Sequence, residues 1–231
     1  MPTNDARRGQ IRSFVKRPGR LTAGQRRALD ELWPKHGATA DGPIDFAALF
    51  GRPTGLRVFE IGYGDGDSLV ALAAANPGYR IIGCEVHEPG IGHCLIGIEE
   101  NGLTNVRLIT ADAVDLLNER FAAGTLDRVN LYFPDPWPKK RHHKRRLFGP
   151  VFLDSVARVL AAGGHLHVAT DWAPYAEHVD EVLAATTIFH VAERIEHDGD
   201  RPLARVTTKF ERRGLALGHR IVDWVLAKTP S

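Results

Sequence analysis

From Arg57 onward the sequence alternates short apolar runs with longer segments of helical character, and few architectures accommodate that order. Val58–Ile61, Arg80–Val86, Val106–Thr110, Arg128–Phe133 and His165–Thr170 read as strands. Helices are predicted over 68–75, from the end of the second strand to about Asn101, and over 113–122, 152–160 and 174–185. Strands that alternate with helices predict a parallel sheet covered on both faces, because each helix returns the chain to the same edge. Two further apolar stretches, Phe189–Ile195 and Leu203–Phe210, are separated only by the polar loop EHDGDRP and are predicted to pair as an antiparallel hairpin. The expected fold class is therefore α/β: a mostly parallel seven-stranded sheet with a C-terminal antiparallel hairpin and helices on both faces. Residues 1–53 read as a basic arm and lead-in segment, and 54–231 as the single globular domain, with residues 1–27 ordered only on binding.

The first strand ends in FEIGYGDGDS, which places Gly62, Gly64 and Gly66 between a strand and a helix. Glycine there lets the backbone approach a ligand. A dinucleotide loop would need its third glycine at 67, where this chain has Asp67. Glu60, Asp65 and Asp67 also serve a phosphate poorly. Carboxylates around a glycine turn suit a ligand with cationic groups, and S-adenosylmethionine carries a sulfonium and an ammonium. Glu85 at the end of the second strand is placed to accept ribose hydroxyls, a device NAD sites share. Asp112 after the third strand is placed to accept from an adenine amino group, or to cap the helix that follows. Such acids sit at the carboxyl edge of the sheet, where ligands of doubly wound folds bind.

The fourth strand runs into FPDPWPKKRHHKRR. Asp135 is held between Pro134 and Pro136, and Trp137 reads as a stacking residue or a core tryptophan. The eight residues 139–146 contain six Lys or Arg and two His, and residues 1–27 carry eight Lys or Arg against the single acid Asp5. Since the whole chain has a net charge of only +2, the remainder is strongly acidic. Two concentrated basic runs on an acidic body fit a polyanion, because phosphates reward clustered cations by counterion release. A carboxylate beside such a run fits a nucleic-acid enzyme: phosphate contacts set the register while a pocket reads the base. The layout resembles the Asx/Ser-Pro-Pro-aromatic motif of amino-group DNA methyltransferases, and the fold pattern resembles the Rossmann-like methyltransferases.

The sequence resembles the bacterial tRNA (guanine-N7-)-methyltransferase family. The matching segments are EIGYGDGDSL at 60–69, GCEVHEPGIG at 83–92, NLYFPDPWPKKRHHKRRL at 130–147, ATDWAPYAEH at 169–178 and TKFERRGLALGHRIVDW at 208–224. Tyr63 and Asp65 depart from the family's usual residues. The resemblance implies methyl transfer from S-adenosyl-L-methionine to N7 of a guanine in the tRNA variable loop. It implies that Glu60, Glu85, Asp112 and Asp135 bind the cofactor with the loop glycines, and that Asp135 lies at the active site. It implies that Lys139, Asp171, Thr208, Lys209, Phe210 and Glu211 contact the substrate. Arg141, His142, His143, Lys144, Arg145 and Arg146 would face the RNA. Cofactor-independent RNA binding on the same fold, and methylation of another base, amine or protein, are the competing readings.

Other residues narrow the classes. Cys84, His87, His93 and Cys94 lie close together, but their spacing matches no standard zinc pattern, so no metal is expected. Two cysteines make a disulfide framework improbable and a cytoplasmic setting the default. No apolar run nears the roughly 20 residues that span a bilayer, and MPTNDARRGQIRSF lacks the apolar middle of a secretory signal, so no membrane partner is expected. No obligate protein partner is expected either. Trp33 and Trp224 read as packing residues. Asp171 is open between substrate contact and a cap on the helix beginning near Pro174.

Overall fold

The computed structural model describes residues 19–39, 41–51, 54–199 and 205–229. Seven strands form one sheet: β1 (Arg57–Ile61), β2 (Arg80–Cys84), β3 (Val106–Ile109), β4 (Leu126–Tyr132), β5 (Leu160–Thr170), β6 (Phe189–His197) and β7 (Ile221–Lys228). Their spatial order is β3-β2-β1-β4-β5-β7-β6, parallel from β3 to β5 and antiparallel at β7 and β6. The chain winds outward from β1 in one direction and then restarts beside it at β4. The gap between the carboxyl ends of β1 and β4 is thus the topological switch point, where ligands of such sheets bind.

Helices α1 (Ala23–His36), α2 (Phe46–Phe50), α3 (Asp67–Ala75), α4 (Glu88–Glu100), α5 (Ala113–Asp115), α6 (Pro150–Val159), α7 (Ala173–Ala184) and α8 (Lys209–Ala216) cover the sheet. A π turn, Leu116–Arg120, continues α5, and a 3-10 segment, Lys140–Arg145, follows β4. α1 was not expected from the apolar pattern. It starts inside the basic arm on a capping box, where Thr22 and Gln25 satisfy each other's backbone N–H groups, and it buries Ala28 and His36.

One prediction needs correction. The last strand is not Leu203–Phe210 but Ile221–Lys228, and α8 intervenes between the two antiparallel strands. Residues 203 and 204 of the expected strand lie outside the described residues, as do residues 1–18 of the arm. The reason for the helix is a second capping box. The Thr208 hydroxyl accepts from the Glu211 N–H, and the Glu211 carboxylate accepts from the Thr208 N–H. That reciprocal pair satisfies two otherwise orphaned donors and starts a helix where apolar content alone suggested a strand.

The two faces of the sheet differ in chemistry. One is apolar across β1, β2, β3, β4, β5 and β7, with Phe59, Val129, Leu131, Leu166 and Trp224 in a single cluster. The other is apolar only over β1–β3, where Val58, Ile81 and Leu108 pack beneath α1, α3 and α4. Toward β4, β5 and β7 this second face turns polar. Glu60 lies in register with Asn130, and Asn130 with His167. All three are buried, so their polar atoms need internal partners.

Candidate active site

A cavity of about 330 Å³ opens at the switch point, lined by Gly62, Gly64, Glu85, Phe133, Asp135 and Phe210 among others. Its size falls at the small-ligand end of binding pockets. The loop glycines all take positive φ: 68° at Gly62, 65° at Gly64 and 85° at Gly66. At Gly66 space is also decisive, since a Cβ would come within 2.5 Å of the Cys94 side chain on α4. The loop therefore folds tightly against α4 and leaves its outer surface to the cavity.

Glu85 is held by three backbone donors. Gly64 N–H donates to Oε2 at 3.0 Å, and Val86 and His87 donate to Oε1 at 2.7 and 3.1 Å. Oε1 is filled by its two donors, while Oε2 retains acceptor capacity, which fits a ribose hydroxyl. Glu60 is 2% exposed and accepts from Asn130 Nδ2 at 3.1 Å. Burial raises its pKa, opposed by that hydrogen bond. It lines a smaller space under the loop with Tyr63, Ser68 and Thr208. Asp112 is the N-cap of α5, accepting from Val114 N–H at 2.9 Å, while its neighbours Ala111 and Ala113 line the cavity.

Asp135 is exposed at the cavity rim and makes no hydrogen bond or ion pair with any described residue. The rigid Pro-Asp-Pro-Trp-Pro link thus keeps it clear of the six cations that follow. The backbone here is strained: Phe133 and Trp137 adopt φ of 50° and 45°, the non-glycine residues with positive φ among those described. Trp137 is half-buried outside the cavity, with the Arg145 guanidinium 5.0 Å from its ring and the His142 ring nearly perpendicular to it, 5.7 Å between centroids. It serves as a platform for the basic turn.

The basic residues divide into two groups. Lys139, Lys140, Arg141 and Lys144 are exposed. Arg146 is a brace: its Nε donates to the Pro136 carbonyl at 3.0 Å, and its guanidinium lies 5.4 Å from the Tyr175 ring. His143 lies 3.2 Å from Arg146 Nη2. Desolvation, then repulsion from Arg141 and Arg145, pushes the His142 pKa down.

The predicted substrate residues other than Lys139, which caps the basic turn, gather around α8. Phe210 is half exposed and lies against Gly64 in the cavity wall. Lys209 is ion-paired with Asp65 at 3.2 Å. Glu211 is only 1% exposed and pairs with Arg205 as well as capping with Thr208. Asp171 does not cap α7, whose N-cap is Trp172. It lies 3.1 Å from His219 Nδ1 and against Gly214, where a Cβ would meet its carboxylate at 2.6 Å. Cys84 and Cys94 are buried, and burial pushes the Cys84 thiol up to about 12. No group of His, Cys, Asp or Glu among the described residues is arranged to hold a metal ion.

Sequence reasoning missed the polar network beneath this site. Arg128 donates to Asn130 Oδ1 at 2.7 Å and to the Tyr132 hydroxyl at 2.7 Å. Tyr132 Oη lies 3.1 Å from His167 Nδ1, and His167 Nε2 lies 2.9 Å from Asp223. A neutral His167 protonated on Nε2 satisfies that chain, and burial does lower its pKa. The signal was present: Arg128, Asn130 and Tyr132 alternate on one face of a strand whose other face is core.

Comparison with known proteins bears on the fold and the family. A family model described as a putative methyltransferase matches residues 55–224. The fold is similar to that of TrmN from Thermus thermophilus, with a TM-score of 0.56 and 18% identity over 80% of this chain and 47% of that one. It is also similar to a geranyl diphosphate C-methyltransferase from Streptomyces coelicolor crystallised with S-adenosyl-L-homocysteine, with a TM-score of 0.51 and 13% identity over 89% and 78% of the two chains. Among curated relatives, a tRNA (guanine-N(7)-)-methyltransferase of Halorhodospira halophila is 49% identical, covering 96% of both chains. One from Stutzerimonas stutzeri is 50% identical over 94% of this chain and 92% of its own. With half its residues shared across nearly its full length, and with the switch-point cavity intact, this chain belongs to the tRNA (guanine-N(7)-)-methyltransferase family.

Proposed function

We propose that this protein transfers a methyl group from S-adenosyl-L-methionine to N7 of a guanine in the variable loop of tRNA. The observation that supports it most is the pairing of a carboxylate-rimmed cavity at the switch point with an exposed basic turn on the same β4 exit. The cavity fits the cofactor. Glu85 Oε2 offers a fixed acceptor for the ribose, the glycine loop offers close backbone approach, and Glu60 and Asp135 offer negative charge toward a cationic ligand. When bound, the cofactor supplies an electrophilic methyl group on sulfur.

The chain's own residues align and stabilise. Guanine N7 has a free lone pair and no proton, so no general base is needed and alignment dominates the rate. Asp135, without a partner among the described residues, orients the base and stabilises the purinium charge that forms at N7. Phe210 forms the opposite wall. Lys139, Lys140, Arg141 and Lys144 hold the phosphates and so set the register of the variable loop. Residues 1–53 act as arm and lead-in to the methyltransferase body at 54–231. No helix among the described residues is long and apolar enough to cross a membrane.

Incubation of the protein with methyl-labelled cofactor and unmodified tRNA, followed by nucleoside analysis, tests the reading. Label in 7-methylguanosine is expected. Label in 1-methylguanosine or 6-methyladenosine would overturn it.

A further inference from the structure

The two cavity walls that carry the chemistry come from distant parts of the chain, and one buried side chain ties them together. Arg205 is 4% exposed and lies on the polar half of the sheet. Its Nε and Nη2 donate to the two oxygens of Asp223 at 2.6 and 2.9 Å, and its Nη1 donates to Glu211. Its guanidinium carbon lies 5.4 Å from the Tyr132 ring and 5.6 Å from the Phe133 ring. Phe133 is the strained residue that opens the Pro-Asp-Pro-Trp wall, and Glu211 anchors the capping box beneath Phe210 in the other wall.

Asp223 is in turn held by His167 at 2.9 Å and His197 at 3.2 Å, so Arg205 is bound to a buried hub with partners on both carboxylate oxygens. Burial opposes the charge on Asp223, yet the bonds from His167 and Arg205 outweigh it and hold the carboxyl well below the usual range. A buried ion pair is weak evidence for stability, since apolar side chains of similar volume often do as well or better. What it supplies here is geometry. A planar fork grips two carboxylates and lies against two rings at once, which a lysine cannot reproduce.

We propose that Arg205 is a positioning residue for methyl transfer: it sets the spacing between the Phe133–Asp135 wall and the Phe210 wall, and so the alignment of the base with the methyl donor. The inference rests on the proposed methyl-transfer reading. Arg205 lines neither the cavity nor the smaller space under the loop, and Asp223, Glu211 and the two rings surround its guanidinium.

The test compares Arg205→Lys, which keeps the charge and loses the fork, with Asp223→Asn, which loosens the fork and replaces no residue of either cavity wall. Single-turnover methyl transfer is measured at saturating tRNA and cofactor. The KM for tRNA and calorimetric binding of S-adenosyl-L-homocysteine are measured alongside, with circular dichroism at the assay temperature. The expected result is a folded variant whose single-turnover rate falls about 30-fold or more, while tRNA KM and product affinity change less than about threefold. A rate within about threefold of the unsubstituted protein in a folded variant overturns the proposal. So does a loss of product affinity as large as the loss of rate, and so does failure of both variants to fold, because the network then serves stability alone. If the unsubstituted protein binds S-adenosyl-L-homocysteine but makes no 7-methylguanosine, the functional reading fails first, and that outcome is distinct from these.

Discussion

The Tyr63 hydroxyl is buried and has no hydrogen-bond partner among the described residues. Its ring is well used: a Cβ on Gly83 would come within 2.7 Å of it, so the aromatic body fills the space between the glycine loop and β2. An unsatisfied buried hydroxyl costs about 1–3 kcal/mol. Tyr63→Phe keeps the ring and removes the orphan, so it is expected to raise stability by about 1 kcal/mol, or about 2–4 °C in Tm. Denaturant unfolding checks this, and a destabilised Tyr63→Phe would show that the hydroxyl has a partner in solution. Asp135 is the opposite case, polar and without a partner among the described residues but at an open rim, where that costs little and leaves the carboxylate available to a base. Burial separates a flaw in packing from readiness for a ligand.

At the scale of elements, the basic turn after β4 illustrates how one run of charge splits into two roles. Replacing the exposed Lys140, Arg141 and Lys144 together with alanine is expected to raise tRNA KM and to lower the salt slope of binding by about 0.7–0.9 per lost phosphate contact, with Tm nearly unchanged. Arg146→Ala is expected to lower Tm by a few degrees, since it frees the Pro136 carbonyl and the Tyr175 ring from their partner. Filter binding across a salt series and thermal scans separate the two. If Arg146→Ala changed only the salt slope, its role as a brace would be wrong. The sequence could not make this distinction, because a run of like charges carries no record of which members fold back. The strands and helices from Arg57 to Ala184 were legible, since apolar periodicity and glycine punctuation agree there. The last strand was misplaced because Leu203–Phe210 offered apolar content, while the Thr208 to Glu211 capping signal that outweighs it was overlooked. Glu211 shows the same limit in the site. Its membership of the TKFE segment was readable, but its burial against Arg205 depended on the packing of β7, far along the chain.

The whole molecule sorts its charge by distance from the cavity. Carboxylates ring the place where a cationic methyl donor is proposed to bind, cations crowd the β4 exit where phosphates are proposed to pass, and a buried polar layer beneath β4, β5 and β7 holds the two arrangements in one frame. A parallel sheet with a switch point would place a ligand at that edge in any protein of this architecture. The basic turn and the Arg205 hub give this one its proposed substrate and alignment. The central claim is that this frame delivers a methyl group to N7 of one guanine in the variable loop. The most direct measurement is positional: tRNA methylated by the protein is treated with borohydride and aniline, which break the chain at 7-methylguanosine, and the fragments are sized. The account predicts one cleavage, in the variable loop, that disappears when Asp135→Ala replaces the protein. Cleavage elsewhere in the tRNA, or variable-loop cleavage of undiminished yield with Asp135→Ala, would contradict it.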